Sequence, residues 1–249
     1  MLTEERQTLI LDLLKQKDVV KIQEIIDLTN ASESTIRRDL TQLEELKFLK
    51  RVHGGASRLQ GKLNELSVTE KTFKNHHEKQ LIAKKACSLI EKGDCIYLDA
   101  GTTTLQMIDH LPDLEIVVVT NGLQHVGQLV KKGFKTYLIG GYVKPKTNAM
   151  IGKGAVNSLK EYRFDKAFMG ANGIHPDSGY TTPDPEEAFV KNSAMELARE
   201  AFVLADHSKL GEISFAKIAD LNKACLVTDE HDEDLRSYQR KTMVKVVTS

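Results

Sequence analysis

Cys95-Ile96-Tyr97-Leu98-Asp99-Ala100-Gly101-Thr102-Thr103-Thr104 is the stretch whose reading decides the fold. An apolar run breaks at Asp-Ala-Gly and continues into three threonines, the pattern of a buried strand, a tight turn and a helix start. Such a turn aims the amides of residues 101–104 and the threonine hydroxyls at one point, at the positive end of a helix dipole. That is an anion pocket, and phosphate is the anion it suits best. Threonines after a glycine are also ordinary N-caps, so this stretch alone leaves both readings open.

The flanking sequence alternates. A helix carrying Leu81, Ile82, Ala86, Leu89 and Ile90 leads into the strand at 95–98, and a helix over about 102–110 leads to the apolar run 116–120. Further runs at 136–139, 167–169, 201–204, 224–227 and 243–247, mostly with helical stretches between them, predict an α/β domain whose sheet is mostly parallel and covered on both faces. Open sheets of this kind bind ligands outside the carboxyl ends of their strands. Those ends read Asp99 to Thr104, Thr120-Asn121-Gly122, Gly140-Gly141-Tyr142, Gly170-Ala171-Asn172-Gly173 and Asp206-His207-Ser208-Lys209. Asp99 and Asn121 suit sugar hydroxyls and Lys209 supplies charge for a phosphate, although each residue taken singly is also a common turn former. Residues 179–191 read as a loop entering a helix at Asp184-Pro185, with Glu187 and Lys191 spaced for a surface ion pair.

The first sixty residues have a different texture. From Thr3, read as an N-cap, Leu9, Ile10, Leu13 and Leu14 recur at helical spacing; Ile22, Ile25 and Ile26 mark a second helix; and a turn at 28–31 leads to Ser32 as cap of a third. On that third helix Ile36, Leu40 and Leu43 share one stripe, while Ser34, Arg37, Arg38, Thr41 and Glu45 occupy the opposite sector. Hydroxyls and arginines on an exposed face donate to phosphate oxygens and guanine edges, or else form a solvated face with i, i+4 pairs. Residues 48–59 then read as two short strands about Gly54-Gly55, a hairpin bearing Lys50, Arg51, His53 and Arg58.

Ser34-Thr35-Ile36-Arg37-Arg38-Asp39-Leu40, then Leu43, then Arg51-Val52-His53-Gly54-Gly55-Ala56 closely resembles the winged helix-turn-helix signature of DeoR-family bacterial transcriptional repressors. It departs from that family at Lys47, where a glycine is usual. The resemblance covers nearly the whole chain and implies a winged helix-turn-helix domain at 1–58, a linker at 59–75 and a sugar-phosphate-sensing domain at 76–249, similar in fold to ribose-5-phosphate isomerase and glucosamine-6-phosphate deaminase. It places operator DNA on Ser34, Thr35, Arg37, Arg38, Thr41, Arg51 and His53. It places a phosphate at Gly101, Thr102, Thr103 and Thr104 with Lys209 nearby, sugar hydroxyls near Asp99, Asn121 and Gly140, and Glu187 and Lys191 across the mouth. The likeness is greatest to fructose-operon repressors of low-GC Gram-positive bacteria, which implies fructose 1-phosphate as the effector and a homo-oligomer, dimer or tetramer, on double-stranded operator DNA.

Composition narrows the classes. A chain of 249 residues with 41% hydrophobic and 28% charged content is ordinary for a soluble globular protein, and 35 basic against 35 acidic residues leave any DNA-binding face a local patch. No apolar run reaches the ~18 residues of a membrane span, and the polar, acidic N-terminus is unlike a signal peptide, which points to the cytoplasm. Cys87, Cys95 and Cys225 are far apart and lack metal-site spacing, so they read as core residues, with no metal or cofactor expected. The competing reading is a sugar-phosphate isomerase or deaminase, for which Asp184, Glu186, Glu187 and Asp206 offer carboxylate bases. An N-terminal winged helix has no use in such an enzyme.

Overall fold

The computed structural model describes residues 2–17, 19–46, 48–52, 54–58, 67–112, 115–229 and 235–247. The chain forms two compact units, Met1–Gly61 and Lys62–Ser249.

The first unit runs α1 (Thr3–Gln16), β1 (Val19–Lys21), α2 (Ile22–Thr29), α3 (Glu33–Glu45), β2 (Leu49–Val52) and β3 (Gly55–Arg58). Its core joins Ile10 and Leu14 to Ile25, Ile36, Leu40, Leu43, Leu49 and Ala56. The N-cap of α1 is Leu2, so Thr3 is its first helical residue. Helix α2 ends on Asn30 in the left-handed conformation, φ 52°, and Ser32 caps α3 by accepting the Thr35 amide at 3.2 Å, a bond worth about 1 kcal/mol. Strand β1, absent from the sequence reading, completes a three-stranded sheet of order β1-β3-β2. Val52 pairs with Gly55 in the hairpin and Lys21 pairs with Gly55 on the other side, so Gly55 belongs to a strand and is not the turn residue that the Gly-Gly pattern suggested. A Cβ there would lie 2.1 Å from the Val20 carbonyl oxygen, which is why β1 can approach so closely.

The second unit opens with α4 (Val68–Phe73) and α5 (His76–Cys87). Residues 67–73 fall within the stretch expected as linker; Ser67 instead caps α4, its hydroxyl accepting the Glu70 amide while its own amide donates to the Glu70 carboxylate in a capping box. There follow β4 (Cys95–Leu98), α6 (Thr102–Met107), β5 (Val117–Thr120), α7 (Leu123–Lys131), β6 (Lys135–Leu138), β7 (Tyr142–Lys144), β8 (Ala149–Ile151), α8 (Gly152–Leu159) and β9 (Phe164–Gly170). Then come β10 (Gly173–His175), β11 (Gly179–Thr182), α9 (Pro185–Glu196), β12 (Ala198–Leu204), β13 (Ala216–Ala219), β14 (Cys225–Asp229), α10 (Arg236–Gln239) and β15 (Val244–Val247). The segment 179–182, read as loop, is thus a strand.

Seven of these strands form one sheet of order β15-β14-β12-β9-β4-β5-β6, every pair parallel. Alternation along β4 sends Ile96 and Leu98 into one apolar cluster with Phe168 and Phe202, and Tyr97 into the other with Met169 and Val203. Both faces are therefore buried, as a parallel sheet requires. A small antiparallel sheet β10-β11-β13 and the hairpin β7-β8 complete the unit.

Candidate functional site

On α3 the apolar stripe is fully used: Ile36, Leu40 and Leu43 are all buried, while Ser34, Arg37 and Arg38 face solvent at the helix's N-terminal end. Arg37 pairs with Glu33 one turn earlier at 2.7 Å, and the Thr35 and Ser34 hydroxyls both contact the Ser32 hydroxyl. The hairpin is tied to the same helix, because the Arg51 guanidinium donates to the Thr41 hydroxyl at 2.9 Å and the Arg51 amide donates to Glu44 at 2.7 Å. The structure thus gathers Ser34, Thr35, Arg37, Arg38, Thr41 and Arg51 about one helix. His53 and Lys47 lie outside the described residues. Sequence patterning gave no sign of what fixes α3 from behind: Asp39 receives Arg6 of α1 through two bonds, at 2.7 and 3.1 Å.

In the second unit a pocket opens at the carboxyl ends of β12, β9, β4 and β5, which are consecutive in the sheet. Asp99, Gly101, Thr102, Thr103, Asn121, Glu187, Lys191 and Lys209 all line it. Gly140 does not, because it follows β6, the edge strand one place farther out, and its amide donates to Ser158 at 3.1 Å. Thr104 is also set apart: it is fully buried, its hydroxyl bonded to the carbonyls of Asp99 and Gly101 and 3.2 Å from His125 Nε2.

The turn at 99–104 is tighter than the expected cradle. The Gly101 amide is spent on the Asp99 carbonyl at 2.7 Å and on Thr104 Oγ1 at 3.0 Å. The first i→i−4 bond of α6 is Leu105 to Gly101, leaving the amides of residues 102–104 without an acceptor inside the helix. Because α6 stops at Met107 and not near 110, these amides and the Thr102 and Thr103 hydroxyls contribute more than an extended helix dipole. Asn121 is spent too, accepting from the Ala100 amide at 2.8 Å and donating to the Met150 carbonyl at 3.2 Å, so it holds the turn to β8.

Two of the pocket's lysines come from the stretch 59–75, which the resemblance assigns to a linker. Lys71 and Lys74, on and just after α4, and Lys79 of α5 line the pocket together with Lys209. Lys79 is buried and its ammonium donates to the carbonyls of Lys71 and Lys74, tying the end of α4 to α5. Burial, with the charges of Lys209, Lys74 and Lys71 against the opposing pull of Asp206, brings Lys79 down to about 8. Lys209 is lowered for the same reasons. Burial pushes Asp206 up, but the Lys209 charge and hydrogen bonds from Ser208 and Asn75 outweigh it and hold this carboxyl below its ordinary range.

Away from these lysines the lining carboxylates are matched singly. Lys191 donates to Asp99 Oδ2, which also accepts the Gly170 amide at 3.2 Å. Glu187 Oε1 accepts from Lys144 at 3.1 Å and from Thr147 at 2.8 Å. Glu187 and Lys191 therefore do not form the i, i+4 pair their spacing allowed. Lys144 also reaches Asp184 at 2.7 Å, and this bond together with the amides of Glu186 and Glu187 overcomes the upward push of burial and lowers the Asp184 carboxyl.

Comparison with known proteins accounts for both units. A family profile described as DeoR C terminal sensor domain matches residues 74–230, and one described as DeoR-like helix-turn-helix domain matches residues 6–61. The chain is 55% identical over 249 residues to the uncharacterized HTH-type transcriptional regulator FruR of Bacillus subtilis (strain 168), covering 99% of each. It is 33% identical over 247 residues to the lactose phosphotransferase system repressor of Staphylococcus aureus (strain NCTC 8325 / PS 47), covering 98% of each. Among solved structures, ribose 5-phosphate isomerase A from Methanocaldococcus jannaschii aligns with 55% of each chain at a TM-score of 0.42 and 21% identity. Among the described residues no helix is long and apolar enough to cross a membrane. With profiles matched in both units and relatives matched over their full length, the chain belongs to the DeoR family of transcriptional regulators.

Proposed function

We propose that this regulator is a cytoplasmic repressor of a sugar-utilisation operon, bound to operator DNA as a dimer or tetramer and released by a phosphorylated sugar, fructose 1-phosphate above all. DNA is read by Ser34, Thr35, Arg37, Arg38 and Thr41 of α3, with Arg51 and His53 of the wing on the backbone. The effector's phosphate sits between residues 101–103 and the lysines, and its hydroxyls meet Asp99 and Glu187.

The observation that carries this reading is the company the pocket keeps. Four lysines lining one pocket favour a dianion, and α4, which follows the chain leaving the wing, supplies one of them and ends on another. An effector held there is bonded to the segment through which a change would pass toward DNA. The lowered carboxyls of Asp184 and Asp206 are poor general bases, which supports a receptor over an isomerase.

Thermal unfolding of the full chain with a panel of sugar phosphates tests the assignment. At a concentration 100 times its dissociation constant the effector adds about 2.7 kcal/mol of stability, a clear upward shift. Fructose 1-phosphate is expected to give the largest shift. An unfolding temperature unmoved by it and by every other sugar phosphate contradicts the reading.

A further inference from the structure

The pocket's two ends differ chemically. At one, Lys71, Lys74, Lys79 and Lys209 act on one another, with Asp206 as the lining acid among them. At the other, Asp99 and Glu187 both act on the buried Tyr97 hydroxyl, and each already holds a lysine, Lys191 and Lys144.

The hydrogen-bond inventory of that second end is only half spent. Asp99 uses Oδ2 for Lys191 and Gly170, and Glu187 uses Oε1 for Lys144 and Thr147. Asp99 Oδ1 and Glu187 Oε2 have no partner among the described residues, and both residues line the pocket. Asn172 adds a donor: its Oδ1 accepts from Thr182 at 3.1 Å, while its Nδ2 has no partner among the described residues. Two anionic acceptors and one amide donor suit hydroxyl groups, each of which both donates and accepts. They repel a second phosphate, because the cations beside them are already committed and like charges cost more in a half-dry pocket than in water.

Granted the effector reading, we propose that this pocket selects sugar monophosphates and rejects bisphosphates, with Asp99, Asn172 and Glu187 reading the unphosphorylated end. The lysine end takes the phosphate and so fixes the ligand's direction; the acidic end decides what else the ligand carries.

Calorimetric titration of the full chain with fructose 1-phosphate, fructose 1,6-bisphosphate and inorganic phosphate tests this. The bisphosphate is expected to bind at least about tenfold more weakly than the monophosphate, the scale of one lost charged hydrogen bond. In Glu187→Gln the gap between the two narrows. In Asn172→Ala the monophosphate weakens while inorganic phosphate, held at the lysine end, binds as in the unmodified chain. Bisphosphate binding as tight as or tighter than the monophosphate overturns the inference and leaves the effector reading standing. So does a parallel loss of inorganic phosphate and monophosphate in both variants. If none of the three binds, the effector reading falls and takes the selectivity with it.

Discussion

Arg6 of α1 and Asp39 of α3 form a buried fork, Nε to Oδ2 at 2.7 Å and Nη2 to Oδ1 at 3.1 Å. Burial alone would lower the Arg6 guanidinium, but the Asp39 hydrogen bond is the larger effect and raises it. The fork sets the roll of α3, since Asp39 faces inward between Arg38, which faces solvent, and Leu40 in the core. Asp39→Ala is expected to destabilise the first unit by roughly 1.5–3 kcal/mol, the range for hydrogen bonds to charged groups, and to strand Arg6. Denaturant melts of Arg6→Ala, Asp39→Ala and the double variant check it; strictly additive losses contradict a direct coupling.

Arg37 is held in reserve by Glu33 on an exposed face. Such a surface pair contributes little to stability, so Arg37→Ala should leave the melting temperature within about 2 °C while weakening operator binding. If the contact is to a phosphate, the salt slope of binding falls by about one unit; if to a guanine, discrimination at one base pair is lost. Gel-shift titrations across salt concentrations decide, and unchanged affinity removes Arg37 from the interface.

Effector affinity should depend on pH through Lys79. Its pKa of about 8 in the free protein rises when a dianion arrives beside it, so binding takes up a proton and affinity falls as pH climbs through 8. The fall at low pH has another source, protonation of the ligand's own phosphate near a pKa of about 6. Lys79→Arg keeps the charge at all accessible pH and should flatten the alkaline limb. Calorimetry in buffers of differing ionisation heat measures the proton directly, and no uptake near pH 8 contradicts the placement of the phosphate beside Lys79.

His125 gives the sensor unit an acid limit. It is fully enclosed beneath the Gly122 turn, its Nδ1 without a partner among the described residues, and burial brings its pKa from 6.5 to about 3. Because the folded form resists protonation, this contribution to stability is intact above pH 6.5 and is lost as pH falls toward 3. The slope is up to about 1.4 kcal/mol per pH unit for one proton. His125→Gln should remove that slope over pH 3 to 6.5; an unchanged acid profile shows that other groups set it.

Patterns confined to one element were legible in the sequence. The strand, turn and helix start at 95–104, the apolar stripe of α3 and the apolar runs of the parallel sheet depend on spacing along the chain, and they are where that spacing puts them. What escaped depends on partners distant in sequence. Strand β1 has three residues and exists because Gly55 lets it approach. Lys71 and Lys74 read as linker charge because the docking of α4 on the pocket has no periodic signature. Asn121 and Thr104 have ligand-binding side chains whose atoms are consumed by the turn itself. Gly140 shares the glycine signal of the other strand ends, but the order of strands, which sequence does not print, puts it at the edge.

The central claim is that a sugar phosphate in the second unit lowers the grip of the first on DNA. Titrating the full chain onto its own upstream DNA, with and without saturating fructose 1-phosphate, tests it most directly. A coupling of 2–3 kcal/mol predicts that operator affinity drops roughly 30- to 150-fold. An operator affinity that is the same with and without the saturating effector would contradict it.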